Sequence, residues 1–212
     1  MVLEKVLKEV HQLEGSIGST PKPCEVFNLI GGTSTDGLLA IMSGRLQMDL
    51  VSCKKAYREM SQNIFCRGDL RFPSEQWIDT LRRVLWFLGD ALEAAIRGVV
   101  RERISSAERT HLRETSCEPI EASLLSQDES AFKCFTCVIV NIIYECVRLR
   151  TYNSTSKAEE LLYMIWEADR TTSAAPLYFP STEIQGHRYY DGGIQSNNPV
   201  LELLKKPISS ME

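Results

Sequence analysis

The feature that most constrains this chain is the stretch of residues 25–44. Residues 26–30 are mostly apolar and stop at Gly31 and Gly32, and a second apolar run begins just after Gly37. Ser34 lies between the two runs. A short apolar segment, a glycine-rich break and a longer helix-like segment predict a strand, a tight turn and a helix, with the serine in the turn.

A serine in such a turn points toward a particular chemistry. The turn lifts its hydroxyl to the amino end of a helix, where free N–H groups and the helix dipole favour developing negative charge. Residues around the serine must be small, because Cβ atoms would clash in the strained backbone. Gly32 meets that requirement and Asp36 does not. The segment Gly32-Thr33-Ser34-Thr35-Asp36 therefore predicts a nucleophile elbow that is present but damaged at Asp36.

Bulk properties exclude several classes of protein. A chain of 212 residues with 43% hydrophobic composition suits one globular domain over residues 1–212. Its net charge of −4 gives no electrostatic reason to expect nucleic acid. No apolar run reaches the roughly 18 residues of a membrane span, and charges interrupt any amino-terminal signal peptide. Seven cysteines without framework spacing favour a reducing compartment. We therefore expect a cytoplasmic protein, with peripheral membrane contact left open.

The hydrophobic patterns predict an α/β layered domain with a mostly parallel central sheet. Residues 133–140 are a continuous apolar run typical of a strand buried on both faces, and residues 144–152 alternate as in a half-exposed, antiparallel or edge strand. A further strand is predicted at residues 25–30, and a short one ends at Asp191. Helical spacing recurs in residues 2–14, 35–43, 50–64, 77–96, 158–166 and 199–205. Residues 101–130 are polar without clear periodicity, and we expect a mobile surface insertion there.

Three segments, in their order and spacing, resemble the patatin-like phospholipase family, and the similarity covers nearly the whole chain. They are GGTSTDG (residues 31–37), WEADRTTSAAPLYF (residues 166–179) and DGGIQSNNPV (residues 191–200). The resemblance implies a helix–sheet–helix domain and a Ser–Asp dyad acting on acyl esters of phospholipids or other acyl lipids, with transient membrane contact and no cofactor. Ser34 matches the nucleophile, and Asp191 in the motif Asp191-Gly192-Gly193 matches the base. Alone, Asp191-Gly192 would be a common turn pair.

The chain also departs from the family pattern. The family has a first strand and an Asp-Gly-Gly-Gly-x-Arg-Gly loop that supplies oxyanion-hole N–H groups, whereas Met1 aligns inside the following helix. We therefore expect the first strand to be missing, the domain to be incomplete at its amino terminus, and Thr35 N–H to be a residual oxyanion donor. The loss of such donors predicts impaired activity. The alternative is a non-catalytic remnant, a truncated form or pseudoenzyme that binds lipid or protein.

Other candidate residues point to structure more than chemistry. The histidines lack metal-ligand spacing. Cys134-x-x-Cys137 is spaced like a redox or zinc pair, but it lies in a predicted strand, where residues three apart point to opposite faces, so we expect no metal. His187 lies four residues before Asp191, but a single histidine near a strand is more often a packing or surface residue. Asp169 falls on an apolar helical stripe, so we expect it to be buried and either hydrogen-bonded or raised in pKa.

Overall fold

A computed structural model describes residues 2–13, 15, 19–65, 77–104, 106–114, 117, 122–124, 132–140, 145–152 and 163–204. It confirms an α/β domain in which helices flank a mixed sheet. The helices are α1 (Val2–Leu13), α2 (Pro23–Val26), α3 (Thr35–Ala40), α4 (Leu50–Phe65), α5 (Trp77–Arg103), α6 (Ser106–Glu114), α7 (Ile165–Thr172) and α8 (Val200–Leu204). The strands are β1 (Leu29–Thr33), β2 (Lys133–Val140), β3 (Glu145–Arg150), β4 (Thr182–Ile184) and β5 (His187–Asp191). A π-helical turn, Ile41–Arg45, extends α3, and a 3₁₀ turn, Gly192–Ile194, follows β5.

The sheet is built around β2. Strand β1 pairs with it in parallel, as predicted, whereas β3 and β5 pair with it antiparallel and β4 pairs antiparallel with β5. The described pairings are therefore one parallel and three antiparallel. Two of the three antiparallel pairs arise because β3 follows β2 closely in the chain and a two-residue turn joins β4 to β5, connections too short for a parallel crossover.

Strand β2 has the burial expected of its apolar sequence. Its side chains from Cys134 to Ile139 are all buried, as predicted for a strand covered on both faces. Strand β3 pairs antiparallel and carries partly exposed residues, which also confirms the sequence interpretation. Helices α3 and α7 pack against β2, and α5 packs against α7.

The strand predicted at residues 25–30 is misplaced. Residues Pro23–Val26 form the short helix α2, which begins at proline and is capped by the Glu25 side chain accepting from Lys22 N–H at 2.7 Å. Strand β1 starts at Leu29 and continues through both glycines instead of ending there. Glycine is needed at Gly31 because a Cβ there would clash with the ring of Phe135.

Two further boundaries differ from the sequence interpretation. The helix predicted at residues 158–166 is α7, which starts at Ile165; residues 158–162 lie outside the described residues. Within the range 101–130, helix α6 is described and Ile104, Ala122 and Leu124 are buried in the core. Sparse apolar residues among charges hid these core contacts, and the predicted mobility of this range stays a prediction. Among the described helices, none combines the length and the low polarity that a membrane crossing requires.

Candidate functional site

The candidate site forms where two strands meet end to end along β2. Strand β3 pairs with residues 135–140 on one edge of β2, so β1 and β5 share the other edge. Strand β1 ends with Thr33 opposite Cys137, and β5 ends with Asp191 opposite Val138. Because β1 is parallel and β5 antiparallel to β2, their carboxyl ends face each other at neighbouring residues. This register brings together Ser34, which follows Thr33, and Asp191.

Ser34 occupies a strained turn between β1 and α3. Its φ is 57° and its ψ −129°, a left-handed φ that is unusual for a residue other than glycine. Gly32 permits this turn, since a Cβ at Gly32 would clash with the Asp36 carbonyl group. Ser34 Oγ donates a hydrogen bond of 2.6 Å to Asp191 Oδ2. The two residues that the resemblance pairs are therefore in direct contact, and their catalytic roles stay a prediction.

Asp191 is buried and held at three points. Its N–H donates to the Ala174 carbonyl at 3.0 Å, and its Oδ1 accepts from Gly193 N–H at 2.7 Å, which leaves Oδ2 for Ser34. Burial raises the pKa of the Asp191 carboxyl above its ordinary value, although the hydrogen bonds from Ser34 and Gly193 act in the opposite direction. Gly192 lies so close to β2 that a Cβ would be 2.5 Å from the Cys137 carbonyl oxygen. The two glycines after Asp191 therefore have separate structural uses, one for packing and one for the hydrogen bond.

A pair of buried threonines supports the turn, and sequence reasoning missed both. Ser34 N–H donates to Thr172 Oγ1 at 2.9 Å, and Thr136 Oγ1 donates to the same oxygen at 2.7 Å. A Cβ at Gly37 would clash with the Thr136 hydroxyl and lie 2.6 Å from Thr172 Oγ1. The available signal was a threonine in the last turn of a helix, inside the segment that resembles the family.

The position of Gly37 changes the interpretation of Asp36. Asp36 and Thr35 are both exposed in the first turn of α3, so a side chain at position 36 meets no steric barrier. The close approach that demands glycine falls at Gly37 instead. The expectation that the elbow is sterically damaged at Asp36 is therefore wrong. As an acidic residue in a first helical turn, Asp36 is favoured by the helix dipole.

The remaining elbow residue, Thr33, ties the turn to the segment after Asp191. Thr33 is buried, and its hydroxyl donates to the Ser196 carbonyl at 2.8 Å. This bond crosses between β1 and the loop that follows the 3₁₀ turn. Both sides of the candidate site are thus joined directly as well as through β2.

Asp169 is buried in α7, as the helical stripe predicts, with 3% of its surface exposed. Its Oδ1 is buried and has no hydrogen-bond partner among the residues that the structure describes. Burial raises the pKa of the Asp169 carboxyl well above its usual range. Of the two expected outcomes, the raised pKa is therefore the one that the burial of Asp169 favours.

Cysteines and histidines form no metal site in the part of the chain that the structure describes. Cys134 and Cys137 are buried free thiols within β2, which agrees with a structural reading of their spacing. Burial raises the pKa of Cys134 to about 12, so this thiol stays protonated and unreactive at neutral pH.

Comparisons with known proteins identify the family of the chain. The sequence profile described as patatin-like phospholipase matches residues 5–204. Phospholipase A I of Arabidopsis thaliana is 25% identical over 244 residues, which cover 95% of this chain and 18% of that protein. Calcium-independent phospholipase A2-gamma is 27% identical in Oryctolagus cuniculus and 26% in Homo sapiens, over 85% of this chain and 21% and 22% of those proteins. The chain thus spans about a fifth of the length of these curated relatives. Because the profile covers most of the sequence, the chain belongs to the patatin-like phospholipase family.

Proposed function

We propose that this chain is a lipid acyl hydrolase domain that cleaves acyl esters of phospholipids or related acyl lipids with Ser34 as nucleophile and Asp191 as base. One observation carries the proposal: the 2.6 Å hydrogen bond from Ser34 Oγ to Asp191 Oδ2, formed at a turn with a left-handed φ. A weakly acidic hydroxyl needs a base within hydrogen-bond reach to become a nucleophile. Strained backbone at a candidate site is the second support.

The reaction proceeds in two acyl transfers. Ser34 Oγ attacks the ester carbonyl carbon while its proton passes to Asp191 Oδ2; the tetrahedral intermediate collapses, and the leaving alcohol takes that proton. Asp191 then removes a proton from water as the water attacks the acyl-serine, and the fatty acid departs as Ser34 regains its proton. The raised pKa of Asp191 suits this role, because a stronger base takes the serine proton more readily.

Thr35 supplies a donor for the oxyanion. It is the first residue of α3, and the first N–H groups of a helix have no intrahelical acceptor. Such an N–H stabilises the negative oxygen of a tetrahedral intermediate. Asp36, one residue further along, places a negative charge in the same turn, and this charge opposes the oxyanion.

The substrate class rests on the relatives, whose names state phospholipase A activity and, for the A2-gamma proteins, independence of calcium. For this chain we accordingly expect phospholipid hydrolysis that persists in a chelator, at a membrane surface that the domain contacts transiently. The cytoplasmic location stays a prediction, to be checked by cell fractionation.

The test measures hydrolysis of a short-chain p-nitrophenyl ester and of phosphatidylcholine vesicles. The variants are Ser34→Ala and Asp191→Asn, with Ser61→Ala as the matched control, because the described bond of the Ser61 hydroxyl runs within its own helix to the Tyr57 carbonyl. Turnover should fall to the buffer blank in the first two and persist in the control. Turnover that is indifferent to Ser34→Ala would remove Ser34 from the mechanism.

The second candidate is a non-catalytic module that binds lipid or protein, and the Asp36 charge beside the nucleophile favours it. A folded chain that sediments with phosphatidylcholine vesicles but shows no Ser34-dependent turnover would support this alternative.

A further inference from the structure

The hydroxyl group of Thr172 lies at the junction of three elements. It accepts from Ser34 N–H at 2.9 Å and from Thr136 Oγ1 at 2.7 Å, and it donates to the Cys137 carbonyl at 3.1 Å. A hydroxyl has one proton and two lone pairs, so these three bonds use its full capacity. Thr172 has no solvent exposure, and Thr136 has none either. The network is therefore dry, and no water replaces a lost bond without a rearrangement.

Ser34 depends on this hydroxyl for the bond to its backbone N–H. Strand β1 ends at Thr33, so the sheet ladder stops before Ser34, and α3 uses the Ser34 carbonyl by accepting from Leu38 N–H at 3.1 Å. The side chain is held by Asp191. Thr172 thus holds the backbone N–H of Ser34, the turn residue that has a left-handed φ.

The same network reaches the other half of the candidate dyad. Cys137, whose carbonyl accepts from Thr172, is paired with Thr33 and packs closely against Gly192, the residue after Asp191. A displacement of Thr172 therefore moves Ser34 relative to a frame that also holds Asp191.

We propose that Thr172 is a positioning residue for the nucleophile: its hydroxyl fixes the Ser34 backbone so that Oγ points at Asp191. This inference rests on the proposed function and adds a residue to it. Thr172 does not touch the reacting atoms. Its hydroxyl holds the strained conformation in which the hydrogen bond to Asp191 forms.

The variants separate this role from simple core packing. Thr172→Val keeps the shape and removes the hydroxyl, whereas Thr172→Ser keeps the hydroxyl and removes a methyl group. Thr171→Val is the matched control, because Thr171 is equally buried and its hydroxyl bonds to the Glu167 carbonyl within α7. Two readouts are taken for each: the exchange rate of the Ser34 amide proton by nuclear magnetic resonance, and the rate of Ser34 labelling by a fluorophosphonate per folded molecule.

In Thr172→Val the Ser34 amide proton should exchange faster with solvent than in the wild type. The rate of fluorophosphonate labelling should fall about tenfold to a hundredfold, the range expected when a buried donor loses its acceptor. Thr172→Ser should restore both to within about threefold of wild type, because one hydroxyl with the same three bonds is retained. Thr171→Val should leave both unchanged. For a short-chain ester, the loss in Thr172→Val should appear in kcat with KM unchanged.

Two results would overturn the proposal. One is Thr172→Val labelling at the rate of Thr171→Val, and the other is Thr172→Ser being as impaired as Thr172→Val. If Thr172→Val does not fold, rapid exchange of the Ser34 amide in the wild type refutes the inference without any variant. A folded wild type that is not labelled at Ser34 counts against the proposed function alone, because the amide exchange reports the hold on Ser34 without turnover.

Discussion

The carboxyl group of Asp169 predicts an unusual dependence of stability on pH. Its surface is 3% exposed, its Oδ1 has no hydrogen-bond partner within the described part of the chain, and burial holds its pKa well above the usual value of about 4. In the unfolded chain Asp169 ionises near that usual value, while in the folded chain it keeps its proton to higher pH. Between the two pKa values the folded state binds one more proton, so stability falls as pH rises.

The size of the effect follows from this proton difference. One extra proton in the folded state changes the free energy of unfolding by about 1.4 kcal/mol per pH unit. For a chain of this length, that corresponds to about 3 to 6 °C in Tm per pH unit. Asp169→Asn removes the titration at nearly constant shape. The variant should therefore match wild type within a constant offset near pH 4 and become progressively more stable than wild type above it.

The assay is thermal unfolding followed by circular dichroism between pH 4 and pH 8, for wild type, Asp169→Asn and Asp169→Ala. The quantity to plot is the Tm difference against pH, since other groups titrate in both proteins. Glu59→Gln is the control, because Glu59 is exposed and its only described ion pair is a loose contact of 3.9 Å with Lys55. A Tm difference that stays flat with pH, or a loss of Tm in both Asp169 variants at pH 7, would refute the reasoning.

Three further predictions concern the candidate site and its surroundings. The rate of fluorophosphonate labelling of Ser34 should rise with pH around a midpoint above the ordinary aspartate range, because burial raises the pKa of Asp191 and only the ionised carboxylate accepts the proton. Asp191→Asn should abolish this titration, and a midpoint at or below 4 would contradict the prediction. Gly37→Ala should lower the free energy of unfolding, measured in urea, by about 1–3 kcal/mol, since its Cβ would clash with the Thr136 hydroxyl. Gly98→Ala, whose Cβ would meet nothing within 4 Å, should raise that free energy by up to about 1 kcal/mol. Asp36→Asn should raise the rate of ester hydrolysis by at most about fivefold, because an exposed like charge a few ångströms away costs about 1 kcal/mol in water; a decrease would show that Asp36 supports the turn.

Local patterns predicted the elements that carry the site better than they predicted the contacts within it. The run at residues 133–140 identified β2 because a strand buried on both faces needs no alternation. The pairing of Ser34 with Asp191 came from three separated segments that resemble one family, since the two residues are 157 positions apart and no local rule links them. The helical spacing of residues 50–64 identified α4, at whose start Asp49 Oδ1 accepts from Ser52 N–H at 2.9 Å as an N-cap does.

The failures share a physical cause, which is that glycine has two uses. Gly31 and Gly32 were interpreted as a turn because glycine permits unusual φ values. In the structure they are strand residues that need glycine for close approach, one beneath the Phe135 ring and one beside the Asp36 carbonyl group. The same confusion placed the required glycine at position 36 instead of Gly37. A sequence shows where glycine is present, but the partner that excludes a Cβ at Gly31 or Gly37 comes from another part of the chain.

Strand β2 determines the candidate site although it contributes neither reacting side chain. Ser34 and Asp191 follow or end strands that pair with Cys137 and Val138, two consecutive residues of β2. A slip of one residue in either pairing would turn its side chains to the opposite face of the sheet. In β5, such a slip would expose the fully buried Tyr189 and bury the exposed Arg188, and burying a single large apolar side chain is worth about 1.5–3 kcal/mol. The burial of Tyr189 therefore favours the observed register of β5, and the Ser34–Asp191 hydrogen bond is a consequence of core packing as much as of the two residues that form it.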